Sequence, residues 1–182
     1  MSFNIAIDGP AGAGKSTIAK KLAKELGYIY VDTGAMYRAF AYYFLKNNIA
    51  SDDVEAITVS CNDVDISITY ENGEQQVLLN GENVSSYIRN EEVGNMASAT
   101  SIYPVVREKL VELQRTLAQK ENVVMDGRDI GTVDLPKANV KIFLTASSKV
   151  RAERRYKELV EKGIDCNIDE IEKDIIKLLQ GE

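Results

Sequence analysis

The sequence contains no histidine, only two cysteines, and fewer basic than acidic residues. The lack of histidine excludes Ser-His-Asp triads, histidine metal sites and imidazole general bases. Cys61 and Cys166 lie far apart with no Cys-x-x-Cys spacing, which argues against a zinc site and favours free thiols in a reducing compartment. Catalysis by this chain must therefore rest on positioning, magnesium and arginine side chains.

The chain also lacks a basic surplus and a long apolar run. Its 22 Lys and Arg residues are outnumbered by 28 Asp and Glu residues, so a polynucleotide partner is disfavoured. No run approaches the length of a membrane span, and no basic segment followed by an apolar one opens the chain. We expect a cytoplasmic monomer without a membrane partner. The absence of a linker in 182 residues predicts a single domain.

The most informative feature that is present is the run Gly-Pro-Ala-Gly-Ala-Gly-Lys-Ser, which lies between an apolar segment and a stretch of helical periodicity. Its glycines allow a tight turn whose N–H groups, with the helix N-terminus, surround phosphate. Lys15 adds a charge between phosphates, and Ser16 offers a hydroxyl to Mg²⁺. The sequence thus predicts binding of ATP by Gly9, Pro10, Ala11, Gly12, Ala13, Gly14, Lys15, Ser16 and Thr17.

The order of apolar segments predicts an α/β fold with a mostly parallel sheet flanked by helices. Four apolar runs each precede a helical stretch: 4–8, 28–32, 122–126 and 140–144. Residues 64–70 alternate at period two, 71–74 form a turn and 76–79 return, which predicts an inserted antiparallel hairpin. Residues near 93–119 are expected to be helical.

In open α/β sheets, ligands bind beyond the carboxyl ends of the strands, so the polar residues that follow each predicted strand are candidates. They are Asp32, Thr33, Tyr37, Arg38, Asp126, Arg128, Asp129, Arg151, Arg154 and Arg155. Arginine suits phosphate because its fork supplies paired donors and a permanent charge. We therefore predict additional ATP contacts from the arginines at 151–155.

Simpler interpretations of these residues stay open. The three arginines at 151–155 have the spacing of a solvated helix face, and residues 126–129 could form an ordinary polar turn. Asp32 could cap the helix that follows it. Asp8 could orient magnesium waters or cap a turn.

Together these residues resemble the bacterial cytidylate kinase family. The resemblance covers residues 3–175 and rests on four runs: 7–10, 31–38, 87–89 and 125–133. It implies magnesium-dependent transfer of the γ-phosphoryl group of ATP to CMP or dCMP. It also implies a P-loop domain with a core at 1–60 and 95–150, a monophosphate-binding insert at 61–94 and a lid at 151–175.

The resemblance further implies a role for single residues. Arg38 and Arg128 would anchor the monophosphate, and Ser98, Arg107 and Asp129 would read cytosine. Cytosine offers an amino donor and ring acceptors, which suit a carboxylate, a hydroxyl and an arginine, whereas uracil presents the wrong pattern to Asp129. Thr33 and Tyr37 are expected to complete the CMP site, with Lys15 and Arg128 as catalytic residues.

Past residue 175 the chain departs from the family pattern, which continues through a lid end rich in Arg, Asp and Asn and then a last strand and helix. Here residues 176–182 end the sequence, so a missing segment and weaker turnover are expected. Two alternatives stay open. One is another P-loop kinase acting on adenylate, uridylate or shikimate, and the other is a nucleotide-binding protein with little turnover.

Overall fold

A computed structural model describes residues 2–180 and the side chains of residues 2–177. Within that range the strands are β1 (Asn4–Asp8), β2 (Ile29–Asp32), β3 (Ile66–Glu71), β4 (Glu74–Leu79), β5 (Glu82–Asn83), β6 (Val123–Gly127) and β7 (Val140–Phe143). The helices are α1 (Lys15–Leu26), α2 (Thr33–Lys46), α3 (Val54–Ser60), α4 (Glu91–Thr100), α5 (Pro104–Lys120), α6 (Ser148–Glu161) and α7 (Ile168–Gln180). A π-helical turn spans Ile130–Asp134.

The main sheet has the strand order β2-β6-β1-β7, and every neighbouring pair is parallel. The predicted α/β fold with a parallel sheet is therefore confirmed. Alternate side chains of β1 enter different cores: Ile5 and Ile7 pack with Ala19 of α1, whereas Ala6 packs with Phe40 of α2. Burial on both faces explains why the central strands are apolar throughout.

The inserted hairpin is also confirmed. β3 and β4 pair antiparallel from Ile66 opposite Leu79 to Glu71 opposite Glu74. Asn72 and Gly73 form the connection with φ values of 53° and 80°, the left-handed geometry that two-residue hairpin turns favour. The structure adds a short third strand, β5, which pairs with β4.

Two side chains of the hairpin hold it against the outer edge of β2. The side-chain amide of Gln75 accepts a hydrogen bond from the Asp32 N–H at 2.8 Å and donates to the Asp32 carbonyl at 3.3 Å. The Tyr70 hydroxyl donates to the Tyr30 carbonyl at 2.7 Å. These bonds satisfy backbone groups at the edge of the main sheet, where no further strand pairs with β2 among the described residues.

The region predicted to be helical near 93–119 is divided between α4 and α5. Pro104 lies at the start of α5, where its missing N–H costs nothing, and Tyr103 before it is extended at φ −76° and ψ 125°. The proline thus begins a new helix instead of continuing α4. Helix α3, capped by the Asp53 side chain, was not predicted from the sequence.

Helices α6 and α7 pack against each other beyond β7. The Ser147 hydroxyl caps α6 by accepting a hydrogen bond from the Val150 N–H at 3.3 Å. Among residues 2–180, no helix combines the length and the apolar composition that crossing a membrane requires.

Candidate active site

The predicted phosphate loop, residues 9–17, lies between the end of β1 and the first turn of α1. Gly9 has φ 146°, and a Cβ there would overlap the carbonyl oxygen of Leu144. Gly14 caps α1 in the left-handed region at φ 93°. The Lys15 ammonium donates to the Pro10 carbonyl at 3.0 Å, so the loop folds around this side chain. The backbone therefore presents the N-terminus of α1 in the arrangement that binds phosphate groups.

Two arginines of α6 contact the phosphate loop directly. Arg151 is only 5% exposed, and its Nε donates to the Ala11 carbonyl at 2.8 Å. Arg154 donates to the Gly12 carbonyl at 2.9 Å. Arg155 points elsewhere and pairs with Glu158 at 3.1 Å, with both side chains about half exposed. The structure thus brings two of the three predicted arginines to the loop.

Ser16, in the first turn of α1, contacts Asp126 of β6. The Ser16 hydroxyl donates to Asp126 Oδ2 at 2.8 Å, and Asp126 Oδ1 is buried without a hydrogen-bond partner among the described residues. Burial, and then the charge of Asp32, raises the pKa of Asp126. A hydroxyl beside an unsatisfied carboxylate oxygen fits a hard cation such as Mg²⁺.

A metal held by protein groups alone does not fit this site. Within residues 2–180, no group of three or more His, Cys, Asp or Glu side chains could hold a metal ion. A magnesium ion here would depend on Ser16, on water and on the phosphate oxygens of a nucleotide, as is usual for this cation.

Lys15 lies where the two halves of the predicted site meet. Burial lowers the pKa of Lys15, the charge of Asp126 opposes this effect, and the charges of Arg128 and Arg151 add to it. Arg128 comes from the loop after β6 and Arg151 from α6. Both arginine charges therefore lie near Lys15, and such a group of cations suits a ligand with several negative charges.

The start of α2 borders the second half of the site. The Asp32 carboxylate caps this helix by accepting from the Ala35 N–H at 3.0 Å, so the capping interpretation of Asp32 is the correct one. The buried Thr33 hydroxyl donates to the Asp126 carbonyl at 2.9 Å. Burial raises the pKa of Tyr37 to about 12. Arg38 reaches the insert, where it donates to the Ile88 carbonyl at 3.4 Å.

The predicted base-reading residues come from three separate elements. Arg107 of α5 and Asp129 of the loop after β6 form an ion pair at 2.6 Å, with about one third of each side chain exposed. Ser98 of α4 is exposed, and its hydroxyl donates to the Gly94 carbonyl of the same helix at 3.1 Å. The fold thus brings together Arg107 and Asp129, which are 22 positions apart in the sequence.

Sequence reasoning left the role of Asp8 open and missed that of Arg115. Both oxygens of Asp8 accept backbone hydrogen bonds, from Ile130 N–H at 2.6 Å and from Gly131 N–H at 2.8 Å. Asp8 therefore caps a turn, the second of its two sequence interpretations. Arg115 donates to the carbonyls of Val133 and Asp134. The position of Asp8 at the end of a predicted strand indicated that it could make such a contact. No local pattern indicated the contacts of Arg115.

A glycine-rich loop joining β1 to α1, arginines directed at that loop, and a separate antiparallel insert define the class of P-loop kinases. The sequence profile of the family described as cytidylate kinase matches residues 5–178. The chain therefore belongs to the cytidylate kinase family.

Single relatives agree with this assignment. The chain is 56% identical over 178 residues to the cytidylate kinase of Alkaliphilus metalliredigens. The aligned residues make up 97% of this chain and 79% of the relative. It is 54% identical over 175 residues to that of Caldicellulosiruptor bescii, covering 94% and 77%. It is 53% identical over 173 residues to that of Ligilactobacillus salivarius, covering 95% and 77%.

Proposed function

We propose that this protein transfers the γ-phosphoryl group of ATP to CMP or dCMP, giving CDP or dCDP. The observation that carries the proposal is the Arg107–Asp129 ion pair, because Asp129 follows β6 at the same carboxyl edge of the parallel sheet at which the phosphate loop follows β1. A carboxylate and a guanidinium can match the amino donor and ring acceptors of cytosine. Membership of the cytidylate kinase family supports the same substrate.

ATP binds to the phosphate loop in this proposal. Its backbone N–H groups and Lys15 hold the phosphates, while Arg151 and Arg154 keep the loop closed through the carbonyls of Ala11 and Gly12. Arg155, predicted from its sequence position as an ATP ligand, pairs with Glu158, so we assign it no contact with ATP. Mg²⁺ would be held by Ser16, near Asp126, and when bound it neutralises charge on the phosphates.

The monophosphate binds on the other side of Lys15. Arg38 and Arg128 anchor its phosphate, Thr33 and Tyr37 line the cleft at the start of α2, and Ser98, Arg107 and Asp129 contact the base. The ion pair between Arg107 and Asp129 already fixes both side chains before a base arrives. Such preorganisation reduces the ordering cost of binding.

Phosphoryl transfer needs little covalent chemistry from the protein. It needs the attacking and leaving oxygens in line and cationic groups around the transferred group. In this proposal Lys15 and Arg128 supply these cations, and the charge of Arg128 is near enough to lower the pKa of Lys15. No residue has to form a covalent intermediate.

The proposed roles divide the domain into a core, an insert and a lid. We assign residues 1–60 and 95–150 to the core, 61–94 to the monophosphate-binding insert and 151–175 to the lid. The separate β3-β4-β5 sheet supports the insert, and the contacts of α6 with the phosphate loop support the lid. A cytoplasmic monomer is proposed as well, and light scattering would test the oligomeric state.

The test is a phosphoryl-transfer assay with ATP and Mg²⁺ over CMP, dCMP, UMP and AMP. The values of kcat/KM for CMP and dCMP should exceed those for UMP and AMP by roughly tenfold or more, because a mismatched base leaves buried polar groups unpaired. Equal rates with AMP would refute the cytosine preference but not the kinase activity. If calorimetry shows that CMP and ATP bind but the assay detects no CDP, the proposed catalytic activity is refuted.

A further inference from the structure

Asp8 connects two loops that the proposed reaction uses on opposite sides. It is the last residue of β1, and Gly9 of the phosphate loop follows it directly. Asp8 is 8% exposed, and its carboxylate accepts two hydrogen bonds from the loop after β6, at 2.6 Å from the Ile130 N–H and 2.8 Å from the Gly131 N–H. This loop, residues 127–134, is called the acceptor loop below because it carries Arg128 and Asp129.

The backbone of the acceptor loop is closely packed at two of its glycines. A Cβ built on Gly131 would lie 3.1 Å from Asp8 Oδ2, and one on Gly127 would lie 2.8 Å from the Thr33 hydroxyl. The backbone of the acceptor loop thus approaches both the carboxylate and α2 more closely than a side chain would allow.

Strand pairing holds the acceptor loop only at its first residue, Gly127. The ladder between β1 and β6 ends at the pair Asp8–Gly127, and beyond this pair each strand continues into its own loop. The start of the π-helical turn is held by Asp8. Its end is held by Arg115 of α5, whose Nε donates to the Asp134 carbonyl at 2.9 Å and whose second nitrogen donates to the Val133 carbonyl at 2.7 Å.

We propose that Asp8 is a positioning residue that fixes the acceptor loop relative to the phosphate loop, with Arg115 holding the far end of the same loop. This inference rests on the proposed CMP kinase activity. Ser16 links the phosphate loop to Asp126, just before the acceptor loop, and the two hydrogen bonds of the buried Asp8 carboxylate hold the acceptor loop itself. Because a displacement near 1 Å can cost roughly a hundredfold in rate, these bonds set the alignment of acceptor and donor.

The first test replaces the carboxylate by an amide of the same size. In Asp8→Asn, one backbone N–H faces an NH₂ group, which cannot accept its hydrogen bond. We expect kcat/KM for CMP to fall roughly tenfold or more, with a higher KM for CMP and a weaker preference for CMP over UMP. KM for ATP should stay within about twofold of the parent, since the phosphate loop keeps its own contacts.

A second variant reaches the same loop from the other side. Arg115→Lys keeps the charge but cannot span the carbonyls of Val133 and Asp134 with a fixed fork. It should also raise KM for CMP selectively, by a smaller factor. Because both residues act on one loop, the double variant should lose less activity than the product of the two single losses. Fully multiplicative losses would overturn the shared mechanism.

Asp53→Asn is the matched control. Asp53 caps α3 through the Ala56 N–H at 3.0 Å, away from the candidate site, so the same chemical change there should leave both KM values unchanged. An Asp8→Asn variant with parent-like CMP kinetics, or with equal rises in KM for ATP and CMP, would overturn the inference. If circular dichroism shows that Asp8→Asn is unfolded, Arg115→Lys decides by the same KM comparison.

Measuring the parent protein in the same assay distinguishes failure of the proposed CMP kinase activity from failure of the positioning role of Asp8. If the parent phosphorylates CMP and neither variant changes its CMP parameters, the positioning role fails and the proposed function stands. If the parent shows no transfer to CMP, the proposed function fails, and calorimetric CMP binding by the parent and Asp8→Asn then tests the positioning role. Equal CMP affinities in that measurement would overturn it.

Discussion

The donor side centres on one continuous segment, the phosphate loop, to which α6 adds Arg151 and Arg154, whereas the acceptor side draws on α2, α4, α5 and the loop after β6. The phosphate loop closes on itself, with Lys15 bonded to Pro10 five residues away. Across the cleft, Thr33 bonds to Asp126 at a separation of 93 residues and Arg38 to Ile88 at 50. The donor side thus takes its shape from local backbone geometry, and the acceptor side takes its shape from the whole fold.

This difference has a consequence for how each side responds to change. A glycine-rich turn and the helix N-terminus that follows it can form the phosphate-binding geometry within a single strand-turn-helix segment. Arg107 and Asp129 meet only if α5 and β6 are packed correctly. We therefore expect donor-side substitutions to abolish chemistry, and acceptor-side substitutions to change substrate choice first.

The largest effect is expected for Lys15→Ala. This change removes a cation next to the transferred phosphoryl group, and one such group is worth roughly 3 kcal/mol in the transition state, or about a hundredfold in kcat. Steady-state rates with CMP and ATP would measure it. Lys24→Ala, at the exposed far end of α1, is the charge-matched control. A Lys15 variant that kept most of the parent activity would refute the donor-site assignment.

A smaller, selective effect is expected for Asp129→Asn. The amide keeps the size of the carboxylate but loses the charge that pairs with Arg107 at 2.6 Å. The ratio of kcat/KM for CMP to that for UMP should fall by roughly tenfold, because the pattern that rejects uracil is lost. KM for ATP serves as the internal control. An unchanged CMP/UMP ratio would remove Asp129 from base recognition.

The contrast between the two sides also explains what the sequence could predict. The phosphate loop, the parallel strands and the Asn72–Gly73 hairpin each depend on short patterns with a direct backbone cause, and the fold confirms the predicted architecture. The bonds of Gln75 to Asp32 join residues 43 positions apart. No local pattern encodes such contacts, so they could not be predicted without the packed structure.

The break between α4 and α5 shows the same limit at shorter range. Apolar periodicity continues on both sides of the Tyr103-Pro104 step, which is visible in the sequence. Whether a proline kinks a helix or begins a new one depends on the packing around it. Here Tyr103 is anchored through its hydroxyl to the Ser51 carbonyl at 2.8 Å, a contact 52 residues away that no periodicity could reveal.

Neighbouring arginines of α6 sharpen the boundary of the donor side. Arg154 bonds to the Gly12 carbonyl, whereas Arg155 pairs with the exposed Glu158. Arg154→Ala should raise KM for ATP several-fold, since a solvent-exposed hydrogen bond of this kind contributes about 0.5 to 1.5 kcal/mol. Arg155→Ala should change it by less than about twofold, because exposed ion pairs contribute little. Equal effects of the two changes would show that Arg155 contacts ATP after α6 moves.

The smallest effect concerns stability and the acceptor side. Asp134 is 3% exposed and ends the turn that Arg115 holds. Burial, and then the charge of Asp129, raises the pKa of Asp134 to about 6, although Arg107 opposes this shift. The unfolded chain should titrate near the ordinary value of about 3.9. Between these values the folded state binds more protons than the unfolded state.

The free energy of unfolding should therefore decrease as the pH rises from about 4 to 6. Above about pH 6 the destabilisation by ionised Asp134 has its full size. Asp134→Asn removes the buried charge, so we expect it to raise Tm at pH 7.5. At pH 5 the folded protein holds Asp134 mostly protonated, and the stabilisation should shrink to about half. Thermal unfolding of parent and variant at the two pH values measures this difference, with Asp53→Asn as the control. A variant that lowers Tm equally at both pH values would show that ionised Asp134 stabilises the acceptor side through Arg107, and that its burial carries no net cost.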